Sequence, residues 1–573
     1  IMPGRNQEVS LNGLPLVNIQ RSIFHRNFGH KTSFDVGQLI PFYLDEVIAG
    51  DSHNITTSIV ARLQTLLTPV MDNLYLDTFY FFVPMRLIWD HWQQFCGEND
   101  KGPWITDKVT YSIPYLNYPS DHIGVPETYP GGFDEGSIAD YFGVPINTYF
   151  ENPSSVSNKN MPSALPFRAY ALTVDSFFRD PNLQQPIVVH TDDSIRTGVL
   201  AMDAGDDWYV TDLELGGKPF NVARFHDYFS SLLPAPQRSE PVSIFGNFVS
   251  AQTLAPVSTL DQSQSTFGKN TGIRMSGGNV LRFLGFDTTS TAASVNATAT
   301  QSAPLVRPTN LWANLNIPEA TISNLRMAFQ LQKYYEKSAR AGDRYRSYLA
   351  EFFGVDNGDA RLQIPEYLGG HRIPLSIHQV ANTSQSSDGD LGDVGAMSNT
   401  SDIHEDFHMS FTEPGYIIGL CCVRYDNTYS QGLEKMWSRR DILDFYNPVF
   451  AAISDQPVYA REIALGLAGS DLSVDRVFGY SPAWQEYREK PNRVSGEMRP
   501  ESSKSLASWH LADSYNTPPV LDGDWIQMDK NIVDRVLAVG SDVANQVFCD
   551  IYVMNECVRP MPMYGIPGLA DHF

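Results

Sequence analysis

The chain has 573 residues, with 41 Lys plus Arg against 65 Asp plus Glu, a formal net charge of −24. Only 18% of its residues are charged while 12% are aromatic, which excludes a disordered chain and a free-standing basic nucleic-acid binder. The length admits three or four domains, or one all-β domain with long insertions. Few charges and many aromatics suit a protein that buries much of its surface against other subunits.

Five cysteines without a CxxC pair predict a reducing compartment, with no disulfide framework and no cysteine-type zinc site. No apolar run is long enough to span a bilayer, and residues 1–7 have no apolar signal core.

Residues 1–32 read as an extended arm, basic through Arg5, Arg21, Arg26 and Lys31 against Glu8 alone. Strand-like segments follow near 34–44 and 55–63. The run Asn73 to Val83 is apolar on both faces, interrupted only by Asp77 and Thr78. Such a strand is buried on both sides or covered by partner subunits. Met85 to Cys96 reads as a helix stopped by Gly97. A weak strand is predicted at 186–190.

Ser239 to Pro308 is rich in Ser, Thr, Ala, Asn and Gly, and reads as a functional projection. Ile273, Met275, Val280, Leu281, Phe283, Leu284 and Phe286 could give it a small local core. Pro318 to Ala341 is the clearest helix, ended by Gly342, with Ile322, Leu325 and Phe329 along one face. A second helix is predicted from Asp343 to Phe353, stopped by Gly354. These helices interleave Lys333, Arg340 and other cations with Tyr334, Tyr335, Tyr345 and Tyr348, a pattern able to pair phosphates and stack bases of single-stranded nucleic acid. The plainer reading is a solvated helix face. Further strands are expected at 371–379, 415–425, 532–539 and 546–558, and 382–401 reads as an exposed loop. Scattered strands with long irregular connections predict an antiparallel sandwich.

His404-Glu405-Asp406-Phe407-His408 matches HExxH. That chemistry needs a helix, which puts both imidazoles on one face to bind zinc, with the glutamate as base. The context favours a loop-to-strand segment, because Phe407, Met409 and Phe411 alternate and Pro414-Gly415 follow. Asp388 to Asp393 is similar in part to a calcium loop but lacks its spaced ligands. No phosphate loop, dinucleotide fingerprint or nucleophile elbow occurs.

Several long runs resemble one family. They include IPFYLDEVIAGDSHNI, YLDTFYFFVPMRLIWDHWQQFCGE, ISNLRMAFQLQKYYEKSARAGDRY, FTEPGYIIGLCCVRYDNTYSQGLEKMWSRRDILDFYNPVF, FGYSPAWQEYREKPNRVSGEMR and RPMPMYGIPGLADHF. These are similar to the major capsid proteins of gokushoviruses, the small circular single-stranded DNA phages of the Microviridae. The resemblance runs from about residue 10 to 573 and breaks mainly across 239–308.

It implies an eight-stranded antiparallel jelly-roll sandwich with long loop and helix-containing insertions. Residues 33–238 and 309–573 would form the capsid domain, the latter with a helical insertion at 318–353, and 239–308 a threefold surface protrusion that meets a host receptor. It implies a T=1 virion shell of about sixty copies assembled in the host cytoplasm. It also implies a small basic DNA-packaging protein, a minor pilot protein and the single-stranded DNA genome as partners. No cofactor and no catalysis are expected. Arg5, Arg21, Arg26, Lys31, Lys333 and Arg340 are the candidates for facing nucleic acid. The rivals are a zinc peptidase built on His404 and His408 and a glycan-binding β-sandwich.

Overall fold

The computed structural model describes residues 20–98, 110–117, 133–146, 161–198, 200–202, 208–240, 242, 271–275, 281–284, 306–308, 322–381, 394–465 and 475–565. Two antiparallel sheets dominate. Their strands, in chain order, are β1 (Ser22–His25), β2 (Phe28–Phe34), β3 (Gln38–Val47), β4 (Ser52–Leu63), β5 (Leu74–Pro84), β6 (Phe220–Asn221), β7 (Glu366–Gly369), β8 (Arg372–Pro374), β9 (Thr400–Ser410), β10 (Gly415–Tyr425) and β11 (Val547–Arg559). The first sheet runs β1–β11–β4–β9, with β2 also on β11. The second runs β6–β3–β10–β5–β7, with β8 also on β5. The predicted all-β sandwich is therefore present.

Alternation decides how the first sheet sits. Along β11 inward Val547, Cys549, Ile551 and Val553 alternate with outward Phe548, Asp550 and Tyr552, and β4 alternates in the same way. The inward residues pack on the second sheet. Tyr80 of β5 bonds Thr57 of β4 through its hydroxyl at 2.7 Å and lies 5.5 Å from the Phe407 ring of β9.

The second sheet is buried on both faces. Strand β10 lies between β3 and β5, and ten of its eleven residues are buried. Gly419 sits where these strands approach most closely. An added Cβ would come within 2.9 Å of Phe42 and Tyr43, so this position has no room for a side chain.

The far face of β5 is covered by the helix α1 (Leu165–Thr173) and its π-helical extension Val174–Phe178. Phe79 meets Phe178 at 5.1 Å and Phe81 meets Phe177 at 4.8 Å. Tyr170 of α1 donates from its hydroxyl to the Leu39 carbonyl at 2.7 Å. The both-face burial of 73–83 is thus satisfied within one chain.

Asp77, the charged interruption of that run, is buried. Its carboxylate takes Arg372 Nε at 2.7 Å and Arg424 Nε at 3.1 Å, and both guanidinium groups stack over Phe225. One carboxylate therefore ties β5 to β8 and β10.

Several expectations are corrected. Residues 186–190 and 532–539 are not strands; Lys530–Asp534 is a helical turn capped by Asp529. Met85–Cys96 breaks into Met85–Ile88 and Trp92–Phe95, because Trp89 leaves the helix to bury its ring and bond Asp193 at 2.6 Å. The main helices are α2 (Ile322–Ala341) and α3 (Tyr345–Phe353), and they stop at Gly342 and Gly354, both at positive φ. Ile322 and Phe329 on the expected apolar face of α2 are exposed. Residues 20–32 of the expected arm include β1 and β2, which pair with β11. Four of the five cysteines are buried free thiols, and Cys96 is an exposed one. No helix among the described residues is long and apolar enough to cross a membrane.

The chain divides into two compact units, 237–337 and the remainder. Within the smaller unit, Thr271–Met275 pairs antiparallel with Leu281–Leu284 and Val306–Pro308. Val280 and Phe286 of the expected local core lie outside the described residues.

The Asp77 arrangement yields an expected outcome. Asp77→Ala strands two cations and should lower the unfolding free energy by about 3 kcal/mol in urea titration. Arg372→Ala, which removes a half-exposed partner, should cost about 1 kcal/mol.

Candidate subunit-contact surface

The HEDFH residues lie on β9, not on a helix. A bulge between Glu405 and Phe407 shifts the register against β4, so that His404 faces Thr57 and His408 faces Asn54. In a regular strand residues four apart share a face, and one extra residue reverses that. His404 is turned inward and half-buried, while His408 points to solvent. The two imidazoles cannot share one zinc ion, and the peptidase geometry is absent.

His404 instead bridges two carboxylates. Its Nδ1 lies 2.9 Å from Asp402 and its Nε2 2.9 Å from Asp406, and its ring stacks on His371 at 4.4 Å. Burial pulls its pKa down, but the hydrogen bonds and charges of Asp406 and Asp402 outweigh this and hold it above the usual value. His371, Asp402 and His404 form one cluster of possible metal ligands, and buried Asp51, His53 and Cys557 form another. In both, the donors already have partners: Arg559 Nε lies 3.0 Å from Asp51, and His53 Nδ1 bonds Asn555 at 3.2 Å.

The candidate nucleic-acid contacts are dispersed. Arg5 lies outside the described residues. Arg21 and Lys333 are exposed. Arg26 is paired with buried Asp45, Lys31 with Asp550 at 2.5 Å, and Arg340 with Asp455 at 3.0 Å. Asp388 to Asp393 also lies outside the described residues.

A more telling surface went unnoticed in the sequence. Residues 440–454 are exposed throughout yet regularly folded. Asp441 and Asp444 form a reciprocal capping box around the turn Ile442–Asp444. Asn447 caps the turn Pro448–Phe450 by accepting from the Val449 N–H at 3.0 Å. Trp484 Nε1 donates to the Phe450 carbonyl at 2.9 Å, and Tyr446 packs on Trp484 and Tyr487. This ordered scaffold presents Ile442 at 86% and Val449 at 83% exposure, with Leu443, Phe445 and Trp437 also exposed. A contiguous apolar patch of this kind marks an interaction surface.

A family model described as "Capsid protein (F protein)" matches residues 13–569. The chain belongs to this phage capsid family. Capsid protein VP1 of Spiroplasma virus 4 is 36% identical over 570 residues, covering 96% of each chain. Capsid protein VP1 of Chlamydia phage 1 is 35% identical, covering 99% of this chain and 98% of its own length. Capsid protein VP1 of Bdellovibrio phage phiMH2K is 33% identical, covering 99% of both. The expected gokushovirus-type major capsid protein is thereby established, and the peptidase and lectin-like alternatives find no support. In a capsid protein the surfaces that matter most are those between subunits, and the segment 440–454 is the strongest such candidate among the described residues.

The His404 bridge predicts a pH dependence. Its pKa is raised on folding, so its stabilisation is fully present below about pH 6.5 and is lost as pH rises through the folded value. Thermal unfolding of His404→Gln should therefore differ from that of the parent chain most at mildly acidic pH and least in alkaline buffer.

Proposed function

We propose that this major capsid protein assembles through its own exposed apolar surfaces into a T=1 icosahedral shell of about sixty copies around a circular single-stranded DNA genome. The observation that carries this reading is the whole-length likeness to three phage VP1 capsid proteins. It is joined by an ordered patch that the isolated chain leaves uncovered.

The sandwich is read as the eight-stranded jelly roll. Setting aside the short strands β1 and β6 and counting β7 and β8 as one interrupted strand, four strands remain in each sheet, in the orders β2–β11–β4–β9 and β3–β10–β5–β7/β8. These pairing orders support the double Greek key of that architecture. On this reading the long insertions hang on two connections, 85–365 between β5 and β7 and 426–546 between β10 and β11.

The stretch 239–308 is assigned to a threefold protrusion that contacts the host receptor. That 237–337 forms a compact unit with its own antiparallel sheet supports this assignment. The coat carries −24 per copy, so sixty copies add on the order of −1,400 to a polyanionic genome. Neutralisation then falls to exposed basic residues that face inward, for which Arg21 and Lys333 are candidates, and to a small basic packaging protein. A minor pilot protein completes the virion, and assembly takes place in the host cytoplasm.

Each large apolar side chain covered by a neighbour contributes about 1.5–3 kcal/mol. Ile442→Asp with Val449→Asp should therefore abolish particles in sedimentation while circular dichroism stays that of the parent chain. Normal particles from that variant would remove the segment from the interface. Deletion of 239–308 should spare assembly and reduce adsorption to host cells; loss of assembly would contradict the protrusion assignment.

A further inference from the structure

Strand β9 ends the first sheet, and β7 and β8 end the second. Where these edges meet, His371, Asp402 and His404 gather, with one donor atom of each within 4.8 Å of the other two. The fold builds this meeting point with some care. His371 joins β7 to β8, and its backbone is fixed to β5: its N–H donates to the Thr78 carbonyl at 3.2 Å and its carbonyl accepts from the Thr78 N–H at 2.8 Å. Two glycines precede it. A Cβ on Gly369 would strike the Asp406 carbonyl, and one on Gly370 the Thr78 carbonyl. Only residues without side chains let the two edges approach so closely. The His371 ring is thereby brought onto His404, with centroids 4.4 Å apart.

The charges at this edge are out of balance. Asp402 and Asp406 flank His404, each 2.9 Å from one of its ring nitrogens. Among the described residues neither carboxylate is paired with a Lys or Arg; their charged partners are His404 and, for Asp402, His371 at 3.9 Å. Two carboxylates and two neutral imidazoles leave a charge of about −2.

Hydrogen bonding is unbalanced as well. A neutral imidazole has one N–H and can donate to only one of the two carboxylates. Asp406 is the better placed acceptor. Its side chain is buried and takes the Thr57 hydroxyl, which itself bonds Tyr80 at 2.7 Å. With the proton on Nε2, facing Asp406, the Nδ1 lone pair of His404 faces the Asp402 carboxylate at 2.9 Å. Two acceptors turned on each other at that distance need a cation to share.

The cluster is open to solvent. The side chains of His371 and Asp402 are 49% and 32% exposed. The partner that Asp402 has is another member of the same cluster, so a cation entering it displaces only an internal hydrogen bond. Asp51, His53 and Cys557 differ on both counts, being buried and already holding the cation of Arg559.

We propose that His371 Nε2, the Asp402 carboxylate and His404 Nδ1 bind one zinc ion, with Asp406 orienting His404 through its Nε2–H. Two imidazoles and a carboxylate are zinc donors, whereas magnesium and calcium take oxygen ligands. A carboxylate behind a metal-bound histidine fixes the tautomer and the ring. Ligand atoms of a zinc tetrahedron lie about 3.3 Å apart. The spacings of 2.9 Å and 3.9 Å to Asp402 bracket that value, and the half-exposed His371 ring is free to turn inward. Asp402, Asp406 and the ion sum to zero charge, and water takes the fourth position. The ion is a clip: it joins the edge of the first sheet to the edge of the second, and it makes no use of His408.

The test titrates zinc chloride into the chelator-treated, full-length, unassembled chain by calorimetry, with magnesium chloride as the second probe. The variants are His371→Ala, which alters a half-exposed side chain, and Asp402→Asn; His408→Ala is the control. The expected result is one zinc per chain, weakened about tenfold or more by His371→Ala and by Asp402→Asn and unchanged in His408→Ala, with no magnesium binding at the same concentration. Zinc should also raise the thermal unfolding midpoint of the parent chain, and raise it less in His371→Ala, whose circular dichroism stays that of the parent. Absence of zinc binding at millimolar concentration, binding untouched by both variants, loss of binding in His408→Ala, or equal binding of magnesium overturns the proposal. The assay does not depend on shell formation, so its failure and a failure of assembly are separable.

Discussion

Strand β10 has no face turned to water. It lies between β3 and β5, its side chains are buried above and below, and Gly419 lets its neighbours close to within a single missing Cβ. A sheet built around such a strand needs cover on both sides. The first sheet supplies one cover, through Thr57 and Phe407, which meet Tyr80 of β5. The other comes from α1 and its continuation, which lie within the connection between β5 and β7. Part of that long insertion is therefore a structural layer without which the second sheet would face solvent.

Once the sandwich satisfies itself, apolar surface left outside has a different meaning. The segment 440–454 is folded by two turns, two caps and a tryptophan tether, and still exposes its largest aliphatic side chains. Order without burial is expensive in conformational entropy unless something else gains from it. Assembly of many copies provides that gain: each contact is modest, and a closed symmetric shell repeats it at every interface.

Much of the sandwich was legible in the sequence because its strands carry period-two or continuous apolar patterns. Leu74–Pro84, Gly415–Tyr425 and Val547–Arg559 fall where those patterns put them, and Gly342 and Gly354 end their helices as glycines do. Three things were not legible. The helix Leu165–Thr173 is apolar nearly all round and shows little amphipathic signal. The bulge at Glu405/Phe407, which turns His404 and His408 to opposite faces, arises from pairing with β4 and leaves no local mark. The run ILDFYNPVF reads as core by composition, and only its position shows that Ile442 and Val449 are bare. Among the described residues, the basic side chains singled out in the arm and in α2 are either exposed or already paired with Asp45, Asp550 and Asp455.

The central claim is that an internally complete sandwich reserves the segment 440–454 for its neighbours. Hydroxyl-radical footprinting of dissociated chains and of purified particles tests it most directly. Strong labelling of Ile442, Leu443, Phe445 and Val449 in the free chain, lost on assembly while the buried residues of β10 stay unlabelled in both states, is the predicted result. Equal labelling of the four residues in free chain and particle would contradict it.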